Sequence, residues 1–585
     1  MGTHSKKWTY KNVPFDYSIL TKRYGISEVF ARVLVNRGFS NLSEIDDYLD
    51  YSKVKLKDAA LMKDLEPAVK FLKSRPGAKI MVVGDYDVDG VMSTYILVRG
   101  LRELGYQVEF RIPERAKDGY GIRDYMADEA KEKNCDILMT CDNGISAFQA
   151  IEHAKEIGLP VILTDHHEVP LKDGVEVIPP ADFCIDPKQS DCKYPFKDMC
   201  GAGITYRFIQ HMVKGEKGYN SLLVQLMIPA AIATVCDVVP LVGENRIITS
   251  FGLKFINKNC DILGLNKLIM LCDFKRDIGS YDFGFRLGPC INASGRLESA
   301  KLSEELMLSE SSSEAEEIAA KLVELNDFRK DITQAGVDAA VKYIEDNNLT
   351  DKKVFLIYLP EVSEAVAGIV AGRIREMFYR PVFIAVDAAI GEEGKVKGSG
   401  RSIPGYHMQK ELNNIADLLI EFGGHALAAG FAFRKEKLEE IDKALQDNCV
   451  LTDEDLVEKI VFDAEIPLAD MTKQVVDEIA LMEPFGQKND PPKFAKRNIL
   501  FKNVFLCGRE NQVGRFVIYD EDKKYSAVDF NVEVGIKNSI VTKYDLETWE
   551  NLQKPDFEGV FMDILYVPMF NDYNNTVQFK VIDAR

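Results

Sequence analysis

Residues 80–89 read IMVVGDYDVD, four aliphatic residues and a glycine followed by Asp85, Asp87 and Asp89. A short apolar run that stops at glycine and acid reads as a buried strand whose end delivers carboxylates. The ending recurs in 137–144 (ILMTCDNG) and 161–167 (VILTDHH), and an apolar element at 231–240 (AIATVCDVVP) delivers Asp237. In open α/β sheets, ligands bind beyond the carboxyl ends of the parallel strands, so acids spread over roughly 150 positions can converge on one spot.

The intervening segments fit that frame. Residues 91–104 read as a helix stopped by Gly105, 107–112 as a strand, 124–133 and 145–157 as helices, the last ended by Gly158 and Pro160. This alternation predicts a doubly wound, mostly parallel sheet. Residues up to about 75 carry helical patterning, as in 26–39 with Gly38 as its stop. Ser313 to Glu316 has capping-box spacing, and a charged helix with Ile318, Leu322 and Leu325 on one face follows to about Asp346. A second α/β unit runs through 354–358, 369–378, 382–386, Gly423-Gly424-His425 and the helix 436–446. Beyond Val450 the strands are short, alternating and aromatic, with turns at Asn511 and Asn571 to Asn575, so a small β-barrel is expected and a sandwich is compatible. The implied domains are 1–75, 76–300, 301–347, 348–450 and 451–585.

With 46% hydrophobic and 28% charged residues, the composition is that of a soluble globular chain. The most apolar stretch, 226–243, holds two prolines and Asp237 and reads as buried core rather than a membrane span. Residues 1–12 lack the pattern of a secretory leader, so a cytoplasmic protein is expected. Eleven cysteines without any C-x-x-C read as reduced, mostly buried thiols. A net charge of −19 excludes broad electrostatic binding of nucleic acid, and strand binding must be local.

Asp85, Asp87 and Asp89 at i, i+2 and i+4 would share one face of extended backbone, with Gly90 permitting a sharp turn into the helix. Such close carboxylates repel unless a cation neutralises them. An EF-hand loop counted from Asp85 would need an acid at position 96, where Ile96 stands. Asp142, Asp165, His166, His167 and Asp237 could each be ordinary caps, turns or surface groups. Two of only seven histidines, adjacent at a strand end beside Asp165, argue for a joint role. Oxygen and imidazole donors suit Mn²⁺ or Mg²⁺, and two such ions would drive phosphodiester hydrolysis.

In order, GDYDVDG, CDNG, DHH and VCDVVPL resemble the four metal motifs of the DHH phosphoesterase superfamily. The later INASGRL, GIVAGR, GSGRSIPG and GGHALAAGF resemble motifs of its single-strand-specific exonucleases. MEPFGQKNDPPKF and the final VQFKVIDAR resemble the borders of their C-terminal OB-type barrel. The resemblance covers nearly the whole chain and implies two α/β domains, DHH and DHH-associated, joined by a long helix around a central cleft, plus that barrel. It implies that Asp87, Asp89, Asp142, His166 and Asp237 bind two divalent cations, with Asp142 bridging. Where many members have a histidine this chain has Val83, and Asp85 takes its place. His167 would face the scissile phosphate and Asp165 would orient its neighbours.

Arg115, Arg296, Arg373, Ser399, Arg401 and His425 are the expected substrate contacts, since guanidinium forks match phosphate oxygens. For any one arginine a surface ion pair is the commoner role. The resemblance implies that Arg115, Ser399 and Arg401 form a 5'-phosphate pocket, which makes cleavage exonucleolytic and 5' to 3'. Cys290 stands where the family pattern usually carries an arginine. Barrel aromatics, with Arg509, Arg515 and Lys580, are candidates for stacking on the downstream strand.

The expected activity is therefore a metal-dependent 5'-to-3' exonuclease that converts single-stranded DNA to 5'-mononucleotides in repair and recombination. The competing readings are a phosphodiesterase for short RNAs or cyclic dinucleotides and a non-catalytic nucleic-acid scaffold. The C-terminal β domain favours long strands over the first, and the intact acids argue against the second. A helicase and a single-strand binding protein are implied as partners, and the spacer helix favours a monomer.

Overall fold

Lys79–Val83 forms a strand with parallel neighbours on both sides, and the chain leaves it at Gly84. The computed structural model describes residues 6–585 apart from 11, 40, 116, 120, 390–392 and 509. The chain divides into two units: one holds 51–332 with 484–490, the other the residues up to Asp50, 333–483 and 491–585.

In the first unit five strands lie in the order Gln107–Arg111, Lys79–Val83, Ile137–Cys141, Val161–Thr164 and Phe183–Ile185, all parallel. Alternation decides what each face buries. Ile80 and Val82 pack with the helices Val88–Glu103, Gly201–Met212 and Asn220–Cys236, while Met81 and Val83 pack with Asp124–Glu132 and Phe148–Glu156. Because both faces are covered, the central strands are continuous apolar runs rather than alternating ones. Strand order reverses between Lys79–Val83 and Ile137–Cys141, and such a switch point opens the crevice where ligands bind in doubly wound sheets.

The doubly wound reading holds, with corrections at the ends of elements. The helix after the first strand begins at Val88, so Asp87 is its N-cap and Asp89 lies in its first turn, not on extended backbone. The helix expected at 145–157 is Phe148–Glu156. The long helix is Ser312–Asp346, and its first turn is capped by Ser311 Oγ accepting from Glu314 N at 3.4 Å, so Ser313 forms no capping box. The helix passes from one unit to the other after Ile332. A strand, Lys6–Tyr10, stands in the region expected to be helical and pairs in parallel with Glu458–Phe462. That pairing is non-local and leaves no local pattern.

The second unit contains a five-stranded sheet in the order Glu421–Gly424, Ala428–Arg434, Lys395–Arg401, Val382–Asp387, Phe355–Tyr358, with the helix Glu364–Phe378 against it. At the C-terminus Phe494–Cys507, Val513–Asp520, Lys523–Asp529, Thr576–Ala584 and Val560–Asn571 pair in turn, and the last returns to the first. This closes a five-stranded barrel and removes the sandwich alternative. No helix among the described residues is long and apolar enough to cross a membrane.

Glu304, on the helix Lys301–Leu308 against Val88–Glu103, is fully buried, and neither carboxyl oxygen has a hydrogen-bond partner among the described residues. Burial pushes its carboxyl well above the ordinary range, opposed only by the charge of Arg102. A buried polar group without a partner costs about 1–3 kcal/mol. Glu304→Leu is therefore expected to raise the unfolding free energy of its unit by about that amount in guanidinium melts. A variant no more stable than the parent would show that the carboxyl is satisfied in solution.

Candidate metal centre

Each acid is aimed by the element that carries it. Asp87 caps the Val88–Glu103 helix, accepting from Gly90 N at 3.1 Å. Asp89 accepts from Gly201 N at 2.6 Å and Ala202 N at 2.7 Å, so the start of the Gly201–Met212 helix fixes a carboxylate over a hundred residues earlier in the chain. Asp142 follows its strand in left-handed backbone, φ 59°, with its N–H donating to Thr164 O. Asp237 closes the Asn220–Cys236 helix. Gly90 has ordinary helical backbone; its need is space, because a Cβ there would lie 2.4 Å from the Asp85 carbonyl oxygen.

His166 joins these carboxylates. Its Nε2 is 3.0 Å from Asp142 Oδ1, 3.6 Å from Asp89 Oδ2 and 3.8 Å from Asp237 Oδ2. Three overlapping donor sets result, each with its ligand atoms within 4.8 Å of one another: Asp142, His166 and His167; Asp89, His166 and Asp237; Asp85, Asp87 and Asp142. Burial, then the charges of the other acids, pushes the carboxyls of Asp142 and Asp237 well above the ordinary range, and burial with Asp87 does the same to Asp85. Asp85 Oδ1 is buried with no hydrogen-bond partner among the described residues. Burial also lowers His166 to about 4, which keeps the imidazole neutral and able to ligate. Acids that resist ionising together, an oxygen with no partner and a neutral imidazole are the donor set that a pair of hard divalent cations would satisfy.

Asp165 behaves differently. Its Oδ1 accepts from His167 Nδ1 at 2.7 Å and from His166 N at 2.7 Å, and its Oδ2 accepts from Ile145 N at 2.8 Å. Burial opposes its charge, but His167 and these hydrogen bonds outweigh it and hold the carboxyl at about 2. Burial likewise opposes a charged His167, and Asp165, with Asp237 and Asp89, overrides it and raises the ring to about 9.

Of the expected substrate contacts, Arg115 and Arg296 come together around Tyr86. The Arg115 guanidinium lies 5.5 Å from the Tyr86 ring centroid. Burial and Asp85 push the Tyr86 hydroxyl up to about 12 against the charges of both arginines. Tyr86 was not singled out from the sequence, although its place between Asp85 and Asp87 was a signal. Lys188 was also missed and nothing in its surroundings announced it; its charge acts on both His166 and Asp237. Ser399, Arg401, Arg373 and His425 belong to the other unit. There Arg401 Nη1 donates to Ser399 Oγ at 2.9 Å, and both border the helix that carries Arg373, since a Cβ on Gly368 would lie 2.9 Å from Arg401 Nη2. Arg373 and His425 are exposed, His425 just past the strand Glu421–Gly424. In the barrel, Phe516 and Phe579 are core, whereas Phe505 and Phe530 are exposed, with Lys580 Nζ 5.6 Å from the Phe530 centroid. Arg515 is exposed, and Arg509 lies outside the described residues.

Residues 79–235 match the DHH family N-terminal domain, 351–450 the DHHA1 domain and 462–583 the RecJ OB domain. The chain is 34% identical over 551 residues to a single-stranded-DNA-specific exonuclease RecJ of Bacillus subtilis, covering 92% of this chain and 68% of that protein. It is 34% identical over 471 residues to the corresponding protein of Salmonella typhimurium, covering 77% and 80%. The crystal structure of RecJ in complex with Mn²⁺ from Thermus thermophilus superposes with a TM-score of 0.78 at 24% identity, over 99% of this chain and 80% of that one, and shows the same fold.

Two expectations follow from the geometry. Gly90→Ala should displace the Asp85 backbone and weaken Mn²⁺ binding by about ten- to a hundredfold, read by electron paramagnetic resonance of free Mn²⁺. Unaltered binding would place Asp85 outside the site. Asp186, next to this cluster, has one carboxyl oxygen without a hydrogen-bond partner among the described residues. Burial and then Asp165 raise it to about 8. A carboxyl raised on folding lends full stability below its unfolded value, and that stability is lost as pH rises through about 8. The melting temperature of Asp186→Asn relative to the parent should therefore climb between pH 4 and pH 8, and a flat difference would count against the buried carboxyl.

Proposed function

The chain belongs to the RecJ family of single-stranded-DNA-specific exonucleases, and on that premise we propose that its buried acid and imidazole cluster removes nucleotides one at a time from the 5' end of single-stranded DNA. The observation that carries this reading is the overlap of the donor sets, in which Asp142 belongs to two sets and His166 lies 3.0 Å from it. Asp85, Asp87, Asp89, Asp142, His166 and Asp237 are the proposed ligands of two Mn²⁺ or Mg²⁺ ions, with Asp142 shared. Such a pair supplies charge that clamps the attacking and leaving oxygens of a phosphodiester.

The chain's own groups do the rest. Asp165 holds Nδ1 of His167 and leaves Nε2 as the ring nitrogen available to a phosphate oxygen. Arg115 and Arg296, gathered around Tyr86, offer guanidinium forks to the strand beside the ligand acids. Ser399 and Arg401 are the proposed pocket for a terminal 5' phosphate, with Arg373 and His425 as further contacts. The proposed division places catalysis in 76–300, the DHH-associated domain in 348–450 and strand holding in 451–585, with 1–75 as a flanking region and 301–347 as connecting helices. A helicase and a single-strand binding protein that supply the strand, a monomeric state and a cytoplasmic location complete the proposal.

The test is Mn²⁺-dependent digestion of a 3'-labelled, 5'-phosphorylated single-stranded DNA beside a duplex and a dinucleotide. Stepwise shortening from the 5' end is expected, absent on the duplex and in Asp142→Ala. Cleavage of the dinucleotide alone would replace this reading with a short-substrate phosphodiesterase, and tight strand binding without cleavage would replace it with a scaffold.

A further inference from the structure

Residues 280–297 form one unbroken helical run in which Phe283–Leu287 is a π-helical turn. Along it Tyr281 and Phe285 are exposed, and Pro289, Asn292 and Arg296 continue the stripe from them as half-buried residues; Ser280, Gly284, Arg286 and Leu297 are also half-buried, and the rest are buried. The wider π turn takes in more residues, which is what aligns 281, 285 and 289 at a spacing of four. Tyr281 and Phe285 are 62% and 68% exposed, and their rings stack at 4.6 Å between centroids with 19° between planes. Two large aromatic rings held parallel in water bury nothing in a core, and they form a flat apolar face.

The two ends of the stripe differ in kind. At one end a Cβ on Gly295 would lie 2.5 Å from the Tyr86 carbonyl oxygen, so Arg296 sits against the segment that carries Asp85 and Asp87. At the other end the buried carboxylate of Asp282 takes Arg276 at 2.9 Å and Arg286 at 3.7 Å. The Arg276 side chain is 64% exposed, so one guanidinium stands in solvent beside the aromatic pair, in a chain whose net charge is −19. From Phe285 to Arg296 is eleven residues, about 16 Å of helix.

We propose that this stripe is a guide for the substrate strand, with bases stacked on Tyr281 and Phe285, phosphates drawn by Arg276, and the backbone led along Asn292 to Arg296 at the metal centre. The occupant is single-stranded DNA because the face is continuous with the site that cuts it. Paired aromatic faces beside cations also bind bases without regard to sequence. The inference rests on the exonuclease reading and extends it to strand length: a substrate must be several nucleotides long to reach the aromatic end.

The experiment compares kcat/KM of the full-length enzyme with Mn²⁺ on a 5'-phosphorylated dodecanucleotide and on a dinucleotide, whose single stacked step of about 3.4 Å falls far short of the stripe's length. Tyr281→Ala with Phe285→Ala is expected to lower the value on the dodecanucleotide by about tenfold or more, and on the dinucleotide by no more than about twofold. Phe285→Trp alone should retain dodecanucleotide cleavage, since any flat ring serves. Phe328→Ala, which removes an exposed aromatic from a different helix, should leave the dodecanucleotide rate in place. Equal losses on both substrates, no loss on either, or the same loss in Phe328→Ala would overturn the guide. A parent enzyme that shortens neither substrate would overturn the exonuclease reading, and the guide with it.

Discussion

Four carboxylates, the buried Asp85, Asp89 and Asp142 and the half-buried Asp237, lie close together around one neutral imidazole. Like charges at that spacing in a low-dielectric setting repel strongly, and burial alone already disfavours each anion. The fold brings them together only because strong local restraints fix the backbone under each one. The sheet's switch point separates the strands that end before Asp85 and Asp142. Backbone amides at the start of the Gly201–Met212 helix hold Asp89, and a left-handed residue turns Asp142 inward. A site assembled this way stores the repulsion that divalent cations would relieve, so cation binding and stability of this unit are coupled.

The same constraint explains why close backbone approach matters here. Gly90 packs against the Asp85 backbone and Gly295 against Tyr86, so two helices are drawn to within van der Waals contact of the loop that holds the first acids. A side chain at either position would open that loop. Asp165 then divides the two histidines between tasks. Its hydrogen bond to His167 favours a charged ring, while the neighbouring His166, buried among acids that are themselves resistant to ionising, stays neutral. Two adjacent residues of one type thus acquire opposite protonation habits from their partners alone.

Much of this was legible from local pattern. The parallel strands announced themselves as apolar runs ending in acid because both sheet faces are covered, and the barrel through alternation and asparagine turns. The gathering of the acids and His166 was readable for the same reason: a strand end in a doubly wound sheet is where function collects. What escaped was non-local. The N-terminal strand pairs with residues some 450 positions away, and Lys188 acts on residues far from it in the chain while its own sequence surroundings are ordinary.

The sequence by itself determined the fold class, the identities of the acids and histidines, and the family, because each is written in short segments whose period and composition are local. Only the tertiary structure decided which acids share an imidazole, that Asp87 caps a helix and Asp89 lies in its first turn, and that Tyr281 and Phe285 stand in line with Arg296. Those facts depend on distances between segments far apart in the chain and on one π-helical turn, and backbone packing, not residue type, sets both.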